Sequence, residues 1–91
     1  MILEQEINEL FQLCMLASTR TVAFVIFEMA SHTKGCYINI TDDGYDPDVE
    51  ADGSYTIYFS SKIYEESSRK VYEVAKEHLL RLLEGKQNEK N

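Results

Sequence analysis

The chain has no long apolar run and contains few of the residues that mark a specialised class of protein. Its 91 residues include one proline, two cysteines, four glycines and no tryptophan. The longest apolar run, residues 22–27, is far shorter than the roughly 20 residues of a membrane-spanning helix. Glu4 and Glu6 stand where a secretory signal would carry positive charge. We therefore expect a cytoplasmic protein.

The two cysteines, Cys14 and Cys36, form no C-x-x-C pair and have no histidine or further cysteine clustered around them. This spacing gives no indication of a structural metal site. In a reducing compartment, two isolated thiols are expected to stay reduced and to pack as small hydrophobic side chains.

Motifs that carry catalysis are also missing. The chain has no G-x-S-x-G, no glycine-rich phosphate loop and no H-x-x-x-H. His78 has the apolar residues Val74 and Leu82 one helical turn away on either side, which favours a histidine of the core over a general base. His32 lies beside Lys34 in a predicted turn and is expected to be exposed. We predict a protein that is not an enzyme and uses no cofactor.

Basic residues are scarce in the first two thirds of the chain. Residues 1–61 contain ten acidic and two basic side chains, a net charge of −8, whereas residues 62–91 contain six acidic and seven basic ones, a net charge of +1. A negative surface repels phosphate groups. This distribution argues against direct binding to nucleic acid or to an anionic membrane.

Apolar residues recur at helical spacing near both ends of the chain. The pattern predicts a first helix over residues 2–17. A second helix is predicted from an N-cap at Ser60 or Ser61 to about Glu84, with Gly85 as its stop. Residues 1–85 are thus predicted to form one domain, followed by a polar tail over residues 86–91.

Three segments between these helices have the character of strands. Residues 22–27 are apolar at odd and even positions, which predicts a strand covered on both faces. Residues 36–41 and 55–60 alternate between apolar and polar side chains. Short connections favour an antiparallel meander. The predicted fold is α+β, in the order α-β-β-β-α, with a three-stranded antiparallel sheet packed against two helices.

The most unusual segment is residues 42–54, which hold six acidic residues and the only proline. It is longer than an ordinary hairpin loop, and loops of such length often carry function. We predict that this segment and nearby tyrosines bind a basic surface of another protein. The predicted contact residues carry acidic or amphipathic side chains: Asp42, Asp43, Tyr45, Asp46, Asp48, Glu50, Asp52 and Tyr58. A solvated loop that only keeps the domain soluble is the simpler interpretation.

Two alternatives remain open at this point. Asp48, Glu50 and Asp52 match the first half of an EF-hand loop, although Phe59 stands where the closing glutamate should be, and this pattern allows a weak calcium-binding module. Surplus apolar residues favour a self-associating structural or regulatory subunit, a homodimer. The predicted interface residues on the first helix are Ile2, Leu13 and Leu16, together with a second face of residues 22–27 that two helices on one side would leave open.

The order helix, three strands, helix resembles that of double-stranded-RNA-binding domains, and Ser68, Arg69 and Lys70 resemble the basic start of their last helix. Glu73 stands where those domains continue with lysines, and the overall charge has the wrong sign. In outline, size and acidity the chain also resembles some phage-encoded inhibitors of bacterial defence nucleases, such as anti-CRISPR proteins. That resemblance implies a viral inhibitor that mimics nucleic acid and occupies a basic, nucleic-acid-binding site.

Overall fold

The structure, a computed structural model, describes the backbone of residues 2–90 and the side chains of residues 2–85. It contains helix α1 (Glu4–Arg20), strands β1 (Phe24–Ala30), β2 (Gly35–Thr41) and β3 (Gly53–Tyr58), a turn of 3-10 helix (Lys62–Tyr64) and helix α2 (Glu65–Lys90). The strands form an antiparallel sheet in the order β1–β2–β3. The predicted α+β fold with the order α-β-β-β-α is confirmed.

Helix α1 begins and ends later than the predicted range 2–17. The backbone N–H of Ile2 donates to the Phe59 carbonyl at 3.0 Å, and the buried Leu3 adopts a left-handed φ of 60°, so the helix cannot include them. At the other end, the Thr19 hydroxyl donates to the Met15 carbonyl at 2.9 Å. The helix continues past its predicted end at residue 17, and the Thr21 N–H satisfies one of its last four carbonyls by donating to Ala17 at 3.0 Å.

Strand β1 is displaced towards the C-terminus of its predicted range. The Thr21 hydroxyl accepts a hydrogen bond from the Ala23 N–H at 3.0 Å, which holds the connection after α1 in a turn. From Phe24 to Ala30, every residue of β1 has a partner in β2. The strand therefore includes Glu28, where the run of apolar side chains had already ended.

Strand β3 begins two residues before its predicted start and ends two residues before its predicted end. Gly53 pairs with Ile40 and Tyr58 pairs with Gly35, so the length of β2 sets both ends of β3. The alternation of side chains along β3 agrees with the prediction, since Ile57 is fully buried.

Helix α2 starts after a short 3-10 turn and runs past its predicted end. The Ser61 hydroxyl accepts a hydrogen bond from the Ile63 N–H at 3.2 Å and caps that turn. The prediction that Gly85 stops the helix is wrong, because Gly85 does not adopt the left-handed φ of a C-cap glycine and the helix continues to Lys90. The side chains of the predicted tail, 86–91, and all of Asn91 lie outside the described residues. Within the described part, neither helix has an apolar stretch long enough to cross a bilayer.

One hydrophobic cluster joins both helices to a single face of the sheet. Its fully buried members include Leu10 from α1, Leu79 from α2 and Ile38 from the central strand. The two helices also pack against each other. Because both lie on one face, the opposite face of the sheet stays open.

The open face corrects the expectation that the first strand is covered on both sides. Phe24 and Ile26 of β1 point away from the helices and are exposed. Beside them on the same face lie Tyr37 and Thr56, which are half-buried, and the exposed Tyr58. An open sheet face of a small monomer normally carries polar side chains.

Candidate functional site

The acidic loop, residues 42–52, connects β2 to β3 at one end of the sheet. It leaves β2 after Thr41, which pairs with Phe24, the first residue of β1. The loop carries six carboxylates and no basic side chain. Five of these acidic residues are exposed, and Asp42 is half-buried.

A hydrogen-bonded chain of three side chains fixes the base of this loop. His78 of α2 is only 5% exposed, and its Nε2 lies 2.7 Å from Oδ1 of Asp42. Its Nδ1 lies 2.7 Å from the hydroxyl of Tyr55 in β3. A carboxylate can only accept, so Nε2–H donates to Asp42, and in a neutral imidazole Nδ1 accepts the Tyr55 O–H. These two hydrogen bonds join the loop, the sheet and α2.

Gly53 permits this close approach of α2 to the sheet. A Cβ atom at position 53 would lie 2.5 Å from the Tyr55 hydroxyl oxygen and 2.6 Å from Nδ1 of His78. Both distances are below any normal contact, so a side chain here would break the bond between Tyr55 and His78. A glycine inside a strand often marks such a site of close approach.

The hydrogen-bonded series Asp42, His78 and Tyr55 resembles a catalytic triad only in the order in which its side chains are connected. Burial raises the pKa of the Tyr55 phenol, the nearby Arg81 opposes this effect, and the charge of Asp42 adds to it. A raised pKa is the opposite of what an activated nucleophile needs. With His78 almost fully buried, the geometry supports an anchor that holds the loop in place.

Two further carboxylates hold the loop by bonds to its own backbone. Oδ2 of Asp52 accepts from the Asp42 N–H at 2.7 Å, which closes the loop at its neck. Oδ1 of Asp46 accepts from the Asp48 N–H at 2.9 Å, and the Asp46 carbonyl accepts from the Val49 N–H at 3.2 Å. Asp42, Asp46 and Asp52 therefore have a structural role that the sequence did not indicate.

The other three acidic residues predicted as contacts are Asp43, Asp48 and Glu50. Each of them is exposed. Among the described side chains, their carboxylates accept none of the hydrogen bonds that shape the loop. They are the carboxylates of the loop that its internal hydrogen bonds leave exposed to solvent.

The two predicted contact tyrosines lie at opposite ends of the sheet. Tyr45 is 70% exposed, and its ring packs edge-on against Phe24 with 5.2 Å between the ring centroids. Tyr58 packs against Tyr64 and lies five residues along β3 from Gly53, about 17 Å at 3.4 Å per residue. Tyr45 is thus exposed within the acidic loop itself, whereas Tyr58 lies at the other end of the sheet, away from the loop.

The residues predicted at an oligomer interface, one just before α1 and two within it, are more buried than expected. Ile2 and Leu13 are partly buried and pack against the core cluster, and Leu16 is also half-buried. Because α1 packs against both the sheet and α2, its buried arc is wider than one stripe. The exposed large apolar side chains of α1 are instead Phe11 and Met15.

The described residues of the loop form neither a cluster of metal ligands nor a groove of the size that small molecules usually occupy. Among the described residues, no group of three or more His, Cys, Asp or Glu side chains is arranged to hold a metal ion, so the calcium hypothesis for Asp48, Glu50 and Asp52 gains no support from their geometry. The groove between Asp42 and Arg81 encloses about 170 Å³. Pockets for small molecules usually enclose roughly 300–1,000 Å³.

Comparisons with protein-family models, curated proteins and solved structures gave no match.

Proposed function

We propose that this protein is a small, acidic, non-enzymatic binding protein that docks its acidic loop onto a basic surface of another protein and inhibits or modulates it. The observation that carries the proposal is the anchoring of the loop by Asp42 and His78, with the carboxylates of Asp43, Asp48 and Glu50 left exposed. A basic groove that binds nucleic acid attracts carboxylates for the same electrostatic reason that it attracts phosphates.

The order of the loop supports this role. Each side chain that a mobile loop must immobilise on binding costs about 0.5–1.5 kcal/mol. Here the neck is closed by Asp52 and the base is fixed by His78 before any partner arrives. A loop whose shape is already set loses less conformational freedom when it binds.

We also propose that the protein acts in the cytoplasm. Cys14 and Cys36 are both free and buried. Burial raises the pKa of Cys14 to about 12 and that of Cys36 to about 11, so both thiols resist oxidation. Two unpaired cysteines in the core fit a reducing compartment.

The test removes the exposed charges and keeps the structural ones. The loop variant is Asp43→Asn, Asp48→Asn and Glu50→Gln. A matched control changes three exposed glutamates of α2, as Glu66→Gln, Glu73→Gln and Glu77→Gln. Both variants change the net charge from −7 to −4, so a difference between them reports position and not total charge.

Wild type and both variants are used to capture proteins from an extract of the native host at low salt, with mass spectrometry as the readout. We expect basic proteins that wild type and control retain and the loop variant loses. For one purified target, each exposed ion pair contributes about 0.2–1 kcal/mol, so the loss of three should weaken binding roughly 3- to 150-fold. The proposal fails if the loop variant binds that target as tightly as the control does at low salt.

If the protein modulates its target, it should compete with the target's own ligand. If its basic surface binds nucleic acid, wild-type protein should displace an oligonucleotide from it, and high salt should weaken this competition. A target that binds the protein and the oligonucleotide together without mutual effect would contradict docking on the same site.

A further inference from the structure

Strand β1 leaves one edge of the sheet unprotected. It is an outer strand in the order β1–β2–β3, and all seven of its residues pair with β2 without a bulge. Among the described residues, no other strand pairs with its outer side. Glu28 is its only charged residue, and it contains neither lysine nor proline. Proteins usually protect a free edge with such residues or with bulges.

Apolar side chains flank this edge on both faces of the sheet. Phe24 and Ile26 lie on the open face, and Met29 lies on the helix face, where Phe11 and Met15 of α1 line a groove beside β1. We call these five residues, with the outer edge of β1, the β1 surface. Phe11 also packs edge-on against Phe27, which ties this part of α1 to the strand.

We propose that the β1 surface binds a second copy of this chain, with the two β1 strands paired antiparallel about a two-fold axis. Two three-stranded sheets would then form one continuous sheet of six strands. An isologous interface of this kind uses the same surface on both copies. The free edge of each copy would then pair with that of the other, which leaves neither edge open to aggregation.

The strand sequence is compatible with such pairing. When two copies of residues 24–30 overlap fully in antiparallel register, Phe27 lies opposite Phe27 of the partner subunit, and Ile26 lies opposite Glu28 of the partner subunit. The two Glu28 carboxylates are therefore not directly opposite each other. Like charges in directly opposite positions would destabilise the pairing. Apolar residues meet on both faces.

The two-fold arrangement also separates the acidic loops. Each loop leaves the sheet beside Phe24, and antiparallel pairing puts the two Phe24 residues at opposite ends of the joined strands. A strand of seven residues is about 23 Å long, whereas the Debye length at physiological ionic strength is about 8 Å. Repulsion between the two loops is therefore largely screened.

The five apolar side chains supply about half of the area that an ordinary interface buries on each partner. The five side chains are 39–51% exposed. If a large apolar side chain has about 150–250 Å² of surface, roughly 80 Å² of each remains accessible, or about 400 Å² per copy. One partner in an ordinary interface buries about 800 Å². The β1 backbone and the neighbouring half-buried Val25 and Phe27 lie in the same surface and add to it.

The test measures the mass of the full chain by sedimentation equilibrium across concentrations up to the millimolar range. Wild type should approach twice the monomer mass of 10.5 kDa. Ile26→Lys and Met15→Lys, on the two faces of the β1 surface, should each weaken dimerisation at least about tenfold, because each dimer would bury two charges. Ile63→Lys is the matched control, because Ile63 is 85% exposed and lies outside the β1 surface, near the start of α2.

Each outcome is decisive. A wild-type protein that stays monomeric at millimolar concentration overturns the proposal, and so does a dimer that both lysine variants and the control leave unchanged. If Ile26→Lys loses its circular dichroism signal, Met15→Lys decides, since Met15 lies on the exposed side of a helix. Open-ended polymers instead of dimers would contradict a two-fold axis.

The geometry of the pairing has its own readout. Nitroxide labels on Glu28→Cys should be closer to each other across the dimer than labels on Asp48→Cys, because the loops lie at opposite ends. The native thiols are buried and will not take up the label. The loop variant described above should still dimerise, which separates this inference from the proposed function.

Discussion

The hydrogen bond between Tyr55 and His78 should contribute measurably to the stability of the domain. Tyr55→Phe removes only the hydroxyl that lies 2.7 Å from Nδ1 of His78. His78 is almost fully buried, so water cannot replace the lost partner. The substitution leaves the bond from Nε2 to Asp42 intact and leaves a buried nitrogen unsatisfied.

The expected magnitude follows from that burial. An unsatisfied buried polar group costs about 1–3 kcal/mol. For a domain of this size, each kcal/mol lowers the melting temperature by roughly 4–8 °C. We therefore expect Tyr55→Phe to melt about 4–24 °C below wild type, with unchanged circular dichroism at low temperature.

Tyr37→Phe supplies the matched control. The Tyr37 hydroxyl also forms a side-chain hydrogen bond, to Oγ1 of Thr33 at 2.8 Å, but this bond is exposed. Its loss should change the free energy of unfolding by no more than about 0.5 kcal/mol. The assay is thermal and urea unfolding of both variants at one fixed protein concentration. If Tyr55→Phe costs no more than Tyr37→Phe, the anchoring argument is refuted.

Two further predictions concern the ionisable groups. A hydrogen bond from Arg69 lowers the pKa of Glu6 from its ordinary 4.5, so its stabilisation is fully present above pH 4.5 and is lost as the pH falls through the lower folded value. The urea concentration at the unfolding midpoint should therefore decrease as the pH is lowered below 4.5, and it should decrease less steeply in Glu6→Gln. An equal dependence on pH in both proteins would contradict the role given to the bond between Arg69 and Glu6. With the pKa of Cys14 raised to about 12 and that of Cys36 to about 11, neither thiol should react with Ellman's reagent at pH 8 in the native protein, and both should react in urea. Rapid reaction of the folded protein would show that the thiols are accessible.

The element types could be predicted because they depend on local periodicity. The three- and four-residue spacing around Ile7 and Leu10 gave a helix, and the alternation around Ile38 gave a strand. The ends of the elements were harder, because they depend on distant partners. β1 extends to Ala30 because Gly35 pairs with it, and Gly85 fails to stop α2 because its backbone does not turn left-handed.

For the candidate site, too, one part could be predicted from the sequence and another part could not. The position and acidity of the loop are visible in residues 42–52. The division of its acids into structural and exposed ones is not, because Asp42 meets His78 across 36 residues of chain. The apolar character of His78's neighbours predicted burial, and no local signal named its two partners.

The sequence by itself determined the class of fold, the excess of negative charge and its concentration in one loop, because these depend on composition and on short-range periodicity. Only the tertiary structure decided which carboxylates hold the loop, which side of α1 is exposed and which face of β1 stays open. Those properties arise from contacts between residues far apart in the chain. Packing geometry fixes such contacts, and no local pattern encodes it.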